Sequence, residues 1–331
     1  MRVCVLTTSY PSAESPIAGS FVATAVAGVR RQGLAVDVVS PDTFSHFGVA
    51  FGGGIAQNLR RAPWKLALVP AFLAAYARAA RHAARDADLV HAHWIPSAVA
   101  ARATGKPYIV QVWGTDVELA RRAPRVVAPL LRHARLVIAA SSFLADAART
   151  LGAPSVEVVP TGVHVPSSVA PPDEPAHVLY AGRLSEEKGV LELVESVRDL
   201  PHVIVGDGPL RERVAGAVGF VPPAEIGAYY ERAAVVCVPS HREGFGMVAR
   251  EALAYGRPVV ASDVGGLSDL HEGTVLVPPR DPAALRHALT ELLANPSRRT
   301  ELGVAARAYA ASVLDEDAAA AALIAAYHRS L

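Results

Sequence analysis

Short apolar runs alternate with longer segments of helical spacing along the first half of the chain. Each run is continuous rather than alternating, as expected for strands covered on both faces of a parallel sheet. The segments between them, such as Phe21 to Arg31 and Trp64 to Arg85, repeat apolar residues about every 3.6 positions. The predicted strands are residues 3–6, 35–39, 89–93, 108–112, 136–139 and 156–159. This rhythm predicts a parallel sheet with helices on its faces.

The rhythm stops between Pro166 and Pro175, where four prolines and no periodicity indicate a linker, and then restarts. Strands are predicted at 178–181, 203–205, 235–238, 258–261 and 275–277, and three helices at 282–294, 296–310 and 317–329 close the chain. The pattern therefore predicts two doubly wound α/β domains, residues 1–165 and 166–331. Ligands bind beyond the carboxyl ends of such strands, so we expect a cleft between two facing domains.

Composition narrows the class of protein. With 51% hydrophobic and 19% charged residues among 331, the chain can bury enough apolar surface to fold, and a net charge of +1 gives no overall field for nucleic acid. Cys4 and Cys237 lie in apolar runs, which favours buried thiols and a cytoplasmic location. The first apolar run is too short for a signal peptide, and none is long enough to span a bilayer.

Residues 239–252, Pro-Ser-His-Arg-Glu-Gly-Phe-Gly-Met-Val-Ala-Arg-Glu-Ala, carry the most specific pattern. Gly244 and Gly246 permit a tight turn, and the helix predicted from Met247 directs its positive end at that turn, which favours phosphate. Glu243 and Glu251 flank the turn and could accept hydrogen bonds from sugar or ribose hydroxyls. The alternative, a capping Glu243 and a solvated Glu251, is equally compatible with the spacing.

Two further loops follow predicted strands. Arg183 and Lys188 form a basic pair that can hold phosphate oxygens, although an ordinary solvated loop has the same composition. Gly206-Asp207-Gly208-Pro209-Leu210-Arg211 is not a dinucleotide fingerprint, because Arg211 stands where the third glycine belongs. The second loop is therefore interpreted as a plain turn between a strand and a helix.

Together these segments resemble the GT-B fold glycosyltransferases of glycosyltransferase family 4. The resemblance covers nearly the whole chain and rests on residues 19–22, 159–163, 181–183, 188–189, 206–209, 219–221, 243–246, 251–252 and 265–267. It implies two Rossmann-like domains facing across a cleft, with a C-terminal helix that can cross back to the first domain. It also implies a nucleotide-sugar donor on the second domain, an acceptor on the first, and retention of anomeric configuration.

The resemblance also implies roles for individual residues. Arg183 and Lys188 would hold the diphosphate, Glu251 the ribose, and Glu243 the donor sugar. The other implied donor contacts are Gly19, the base-binding run Gly219, Phe220 and Val221, and the backbone N–H groups of Gly246, Met247 and Val248. Fixed cations and a helix terminus would stabilise the leaving diphosphate, so no metal or other cofactor is expected, and UDP or GDP is the expected nucleotide.

One position departs from the family pattern. Trp113 stands where many relatives have histidine, which leaves only a backbone or stacking role for it. Asp116 nearby either acts on the acceptor or fixes the loop. His91 and His93 end a predicted strand; a zinc pair lacks an evident third ligand, so His93 is predicted to contact the acceptor and to join Glu243, Arg183 and Lys188 as a catalytic candidate.

Other features leave function open. The glycine-rich loop Phe51-Gly52-Gly53-Gly54 could close over a substrate. Arginines and one lysine could form a membrane-facing surface with weak peripheral contact, or simply a solvated helix face; they are Arg60, Arg61, Lys65, Arg121, Arg122, Arg125, Arg132 and Arg135. The acceptor is not identified: lipid carriers of polysaccharide synthesis, small metabolites and natural-product aglycones all fit. The alternatives are a nucleotide-sugar epimerase or hydrolase of the same fold, and a non-catalytic nucleotide-sugar-binding protein.

Overall fold

The computed structural model describes residues 1–13, 15, 17–50 and 54–331, except for the side chains of residues 56 and 57. Phe51, Gly52 and Gly53 of the glycine-rich loop therefore lie outside the described residues. The chain forms two compact units, here called unit 1 (Met1–Gly162 with Glu316–Leu331) and unit 2 (Val163–Asp315).

Unit 1 is built on a parallel sheet of six strands in the order β2-β1-β3-β4-β5-β6. The strands are β1 Arg2–Leu6, β2 Ala35–Val39, β3 Leu89–His93, β4 Tyr108–Val112, β5 Leu136–Ala139 and β6 Val156–Val158. The helices are α1 Ser20–Arg31, α2 Ile55–Arg61, α3 Val69–Ala83, α4 Ser97–Ala103, α5 Thr115–Ala120, α6 Pro124–Arg132, α7 Ser142–Thr150 and α13 Glu316–Ser330, with 3-10 turns at Pro41–Thr43 and Pro63–Leu68. Strands β1, β3 and β4 are almost fully buried, which agrees with their continuous apolar sequence.

Helix α13 belongs to unit 1, although the sequence-based boundaries assign it to the second domain. Its Leu323, Ala326 and Tyr327 are buried in the same core as Val22 and Val26 of α1. Arg31 of α1 pairs with Glu316 and Asp317 at the start of α13. Burial of this apolar face, rather than position in the sequence, places the last helix with the first unit.

Unit 2 contains a parallel sheet of five strands in the order β11-β10-β9-β7-β8. The strands are β7 Val178–Ala181, β8 His202–Val205, β9 Val235–Val238, β10 Val259–Ser262 and β11 Thr274–Val277. The helices are α8 Val190–Ser196, α9 Ile226–Arg232, α10 Met247–Ala254, α11 Pro282–Ala294 and α12 Pro296–Tyr309, with 3-10 turns at Glu186–Lys188, Arg211–Arg213 and Gly265–Leu267 and a π-helical turn at Ala310–Leu314. Two apolar clusters occupy the two faces of the sheet.

The structure changes two sequence-based boundaries. The predicted linker at 166–175 lies within unit 2, where Arg257 donates to the carbonyl oxygen of Ala170 and Arg232 pairs with Asp173. The single helix predicted from Trp64 to Arg85 is divided, because the 3-10 turn ends at Leu68 and Pro70 lies in the first turn of α3. All eleven predicted strands are observed with bounds within one residue.

Both cysteines are unpaired and buried, as predicted. Among the described residues, every helix is too short or too polar to cross a membrane.

Candidate functional site

The side chain of Arg250 fixes the loop that links β9 to α10 in unit 2. This guanidinium is buried; it donates to the carbonyl oxygens of Phe245 and, at 3.1 Å, Gly266, and its central carbon lies 3.8 Å from the centre of the Phe245 ring. Burial lowers the pKa of Arg250 to about 10, so the side chain stays charged near neutral pH. Gly246 caps α10 in the left-handed conformation. The start of α10, with the N–H groups of Met247 and Val248 in its first turn, is therefore firmly positioned.

A second loop, which follows β7, meets this one through Lys188. Its ammonium donates to Oε2 of Glu243 at 2.7 Å, and Ser240 Oγ donates to the same oxygen at 3.3 Å. Gly189 makes the approach possible, because a Cβ at this position would lie 1.9 Å from the carbonyl oxygen of Pro239. Residues that are 55 positions apart in sequence thus form one ion pair at the carboxyl edge of the sheet.

Arg183, the other member of the predicted basic pair, is exposed on the same loop. Its carbonyl oxygen accepts a hydrogen bond from the hydroxyl of the buried Tyr180 at 2.9 Å, which fixes the backbone at this position. Unlike Lys188, the Arg183 side chain has no carboxylate partner within ion-pair distance among the residues that the structure describes. The guanidinium is therefore free to approach an anion.

Glu251 lies one turn inside α10 and is not a solvated surface group. Its Oε2 accepts a hydrogen bond from Tyr230 Oη at 2.7 Å, and Tyr230 itself is buried. Burial raises the pKa of Glu251, while the hydrogen bond from Tyr230 lowers it, and the net direction is upward. The solvated alternative for Glu251 is therefore wrong, and its ribose contact stays a prediction.

We expect Glu251→Gln to flatten part of the pH dependence of stability. The pKa of Glu251 is raised in the folded state, so the unfolded chain loses this proton first, and ionisation destabilises the fold as pH rises through the folded pKa. Glutamine still accepts the Tyr230 hydrogen bond but cannot ionise. Melting temperatures from about pH 4 to about pH 7 should fall less in the variant than in the unchanged protein; parallel curves would contradict the buried-carboxylate assignment.

The predicted base-binding run follows β8. The N–H of Gly206 donates to the carbonyl oxygen of Gly219 at 2.8 Å, which ties this run to the end of the strand. Val221 packs on the apolar core, whereas the Phe220 ring is exposed. Phe220 thus offers a free aromatic face.

In unit 1, Asp116 joins the loops that follow β3 and β4. Its carboxylate accepts the backbone N–H groups of Ile95 at 3.1 Å and of Trp113 and Gly114 at 3.0 Å. Burial raises its pKa against the effect of these hydrogen bonds. Of the two roles open in the sequence, the geometry supports loop fixing. Trp94, next to Ile95 in the first of these loops, has a left-handed backbone with φ of 64°.

An aromatic cluster occupies this edge of unit 1. The ring of Trp113 lies 4.4 Å from Phe21 and 6.0 Å from Trp94 between centroids, and all three side chains are half-buried. At the start of α1, Gly19 has φ of 63°, and a Cβ there would lie 2.2 Å from the carbonyl oxygen of Ser9. Any larger residue at Gly19 would push this loop away from α1. The sequence indicated Trp113 and Gly19 but gave no signal for Phe21 and Trp94 as neighbours.

His93 lies in the core behind Trp113. Only 1% of its surface is exposed, its ring stacks 5.8 Å from that of Trp113, and burial holds its pKa well below the ordinary value. His91 is also buried and shares a 2.8 Å hydrogen bond with Tyr327 Oη. Contact between His93 and an acceptor would require the covering rings to move. No group of three potential metal ligands from His, Cys, Asp and Glu occurs within the described ranges.

The two units match two family models. Residues 18–165 match the model described as Glycosyltransferase Family 4, and residues 175–295 match that of Glycosyl transferases group 1. The D-inositol 3-phosphate glycosyltransferase of Xylanimonas cellulosilytica is 32% identical over 313 residues, which cover 76% of this chain and 75% of that protein. Catalytic activity as a glycosyltransferase, predicted from the motifs, is thereby confirmed.

Solved structures show the same fold. Sucrose-phosphate synthase of Thermosynechococcus elongatus matches with a TM-score of 0.81 and 21% identity, over 99% of this chain and 98% of that chain. HepE of Anabaena, solved in complex with UDP-glucose, matches with a TM-score of 0.74 and 20% identity over 100% of both chains. The prediction of two Rossmann-like domains in a GT-B fold is confirmed. The chain is a glycosyltransferase, and it belongs to glycosyltransferase family 4.

Proposed function

We propose that this glycosyltransferase transfers a sugar from a nucleoside diphosphate sugar to an acceptor hydroxyl with retention of anomeric configuration. The observation that carries the proposal is the Lys188–Glu243 pair at the positive end of α10. One cation, one carboxylate and a helix terminus are the groups that a sugar diphosphate requires. UDP is favoured over GDP because the similarly folded HepE was solved with UDP-glucose.

The ion pair suggests how the donor is received. Glu243 pairs with Lys188 at 2.7 Å. An incoming diphosphate carries more negative charge than one carboxylate, so it can replace Glu243 as the partner of Lys188, with Arg183 as the second cation. Glu243 is then available to accept a hydrogen bond from a hydroxyl of the donor sugar. Donor binding and the release of Glu243 become one event.

The same groups account for the chemistry. As the bond between the sugar and the diphosphate breaks, negative charge builds on the leaving group, and Arg183, Lys188 and the N–H groups of Gly246, Met247 and Val248 meet it. Arg250 fixes the loop that carries these N–H groups in advance, through its hydrogen bonds to the carbonyl oxygens of Phe245 and Gly266. Glu251 would bind the ribose through its second carboxylate oxygen, and Gly219, Phe220 and Val221 would run along the base.

The acceptor is proposed to bind unit 1. Trp94, Trp113 and Phe21 form an aromatic edge, which suits the apolar face of a sugar ring or an aromatic aglycone. In this proposal Asp116 and His93 position that edge rather than touch the acceptor. Gly19 keeps the loop of Ser9 close to α1, beside Phe21.

A panel of UDP, GDP, ADP and TDP sugars, screened by thermal shift and then by turnover, tests the proposal. We expect one nucleotide series to raise the melting temperature and its sugar to appear on an acceptor with the donor's anomeric configuration. Transfer should persist in excess EDTA, because the cations and helix terminus already offset the charge of the leaving group. Donor consumption without an acceptor product would favour a hydrolase or epimerase, and loss of turnover in EDTA would contradict the metal-free mechanism.

A further inference from the structure

The charge of the chain is divided unequally between its units. Unit 1 contains 18 Arg and Lys against 11 Asp and Glu, whereas unit 2 contains 14 against 20. The net charge of +1 is therefore the sum of +7 on unit 1 and −6 on unit 2. Most of the excess comes from residues 54–135, with 13 basic and four acidic residues. Of those four, Asp116 is buried among backbone N–H groups and Asp88 accepts the N–H of Arg2.

This excess is concentrated on one set of helices. The 3-10 turn Pro63–Leu68 and helices α2, α3, α4 and α6 contain no Asp or Glu at all, and we call them the basic face. Helix α3 packs on α4, and α4 on α6. Right-handed crossovers place them on the sheet face opposite α1 and α13. Their cations are Arg60, Arg61, Lys65, Arg78, Arg81, Arg102, Arg125 and Arg132.

Large apolar side chains project from the same region. Trp64 is 67% exposed, Leu66 is 61% exposed and Phe47 is 44% exposed. They lie close together, because the ammonium of Lys65 donates to the carbonyl oxygen of Gly48 at 2.9 Å and ties the loop of Phe47 to the 3-10 turn. A tryptophan and a leucine exposed in one 3-10 turn lower the solubility of a protein, and such exposed apolar patches mark interaction sites.

A groove adjoins these residues along α3. It has a volume of about 880 Å³ and is lined by Phe44, Phe47 and the exposed arginines Arg78, Arg81 and Arg85. Arg78 and Arg81 lie three residues apart on one side of α3, and Arg85 follows just after the helix ends at Ala83. The groove therefore combines apolar walls with guanidinium groups that can hold phosphate.

We propose that the basic face docks unit 1 on an anionic phospholipid surface, with Trp64, Leu66 and Phe47 inserted among the acyl chains and headgroups. The cations supply attraction to phosphate, and the exposed rings supply the apolar contact that an interface between water and lipid favours. A soluble polyanion would use the charge but not the exposed tryptophan and leucine. The proposal does not depend on the donor site of unit 2.

Vesicle flotation with the purified full chain tests the proposal. We expect the protein to float with vesicles of equal parts phosphatidylcholine and phosphatidylglycerol but not with phosphatidylcholine alone, and to dissociate in about 1 M salt, where charges are screened within about 3 Å. Trp64→Ser with Leu66→Ser should lower the affinity at least about tenfold. Arg60→Gln with Arg78→Gln should lower it about tenfold to thirtyfold.

A matched variant in unit 2 provides the control. Val304 is 66% exposed and Arg198 is exposed on the same unit, so Val304→Ser with Arg198→Gln removes similar groups without altering the basic face. This variant should float like the unchanged protein, and melting temperatures should confirm that all variants fold. Equal flotation on both vesicle types, or full binding by Trp64→Ser with Leu66→Ser, would overturn the proposal. Binding to duplex DNA but not to vesicles would replace it with a nucleic-acid surface.

Discussion

Replacing Arg183 and Lys188 together with alanine should nearly abolish nucleotide binding. Each side chain is expected to make a charge-assisted hydrogen bond to the diphosphate, and each such contact contributes roughly 1.5 to 3 kcal/mol. Loss of both should weaken the dissociation constant of UDP, measured by calorimetry, by about two to four orders of magnitude. The Lys188 side chain is only 31% exposed, so solvent and salt screen its contact with the diphosphate less than they would that of a fully exposed side chain.

Two comparisons make the result specific. Arg198→Ala with Arg280→Ala removes two exposed arginines from the same unit that belong to neither the loop after β7 nor the loop after β9, and should bind UDP as the unchanged protein does. The single variant Lys188→Arg keeps the charge and should recover most of the affinity. Unchanged affinity in the double alanine variant, with folding confirmed by its melting temperature, would remove Arg183 and Lys188 from the donor site.

The fold was predictable because continuous apolar strands in a parallel sheet leave a strong signature. Central strands such as β3, from Leu89 to His93, are buried along their full length, whereas edge strands such as β2 and β11 are only partly buried. Periodicity alone missed the division of the predicted helix at Leu68, although Pro70, which favours the first turn of a helix, is a sequence signal for a new start there. The position of α13 depends on tertiary burial of Leu323 and Tyr327, which no local pattern reports.

The candidate site was predictable as a set of loops but not as a set of contacts. The glycines and charged residues of both loops indicated an anion site, yet the Lys188–Glu243 pair joins positions 55 apart in sequence. Arg250 was overlooked because an arginine within an amphipathic helix usually lies on the solvent side, whereas here its guanidinium is buried beneath Phe245. His93 illustrates the opposite case: it was predicted to contact the acceptor from the end of β3, but only 1% of its surface is exposed and its ring stacks on that of Trp113.

Glu243→Ala should separate binding from chemistry. In the proposed mechanism Glu243 and the diphosphate compete for Lys188, so removal of the carboxylate should leave the UDP dissociation constant unchanged or lower it. Turnover should nonetheless fall by about 10² to 10³, because the carboxylate no longer positions the donor sugar as the leaving group departs. Turnover at saturating donor and UDP affinity by calorimetry give the two readouts. Glu186→Ala, which removes an exposed carboxylate from the same 3-10 turn as Lys188, is the matched control and should turn over normally.

Trp113→Phe, in unit 1, should affect turnover much less than Glu243→Ala does in unit 2. Phenylalanine keeps a ring to pack against Phe21 and His93, and the lost Nε1 is buried and has no hydrogen-bond partner among the described residues. Most turnover should therefore survive, with the melting temperature measured first because a smaller ring leaves a cavity. If Trp113→Phe folds but is as inactive as Glu243→Ala, the indole itself orients the acceptor or takes part in transfer.

If Glu243→Ala instead weakens UDP binding in proportion to turnover, Glu243 serves only to hold Lys188 in place.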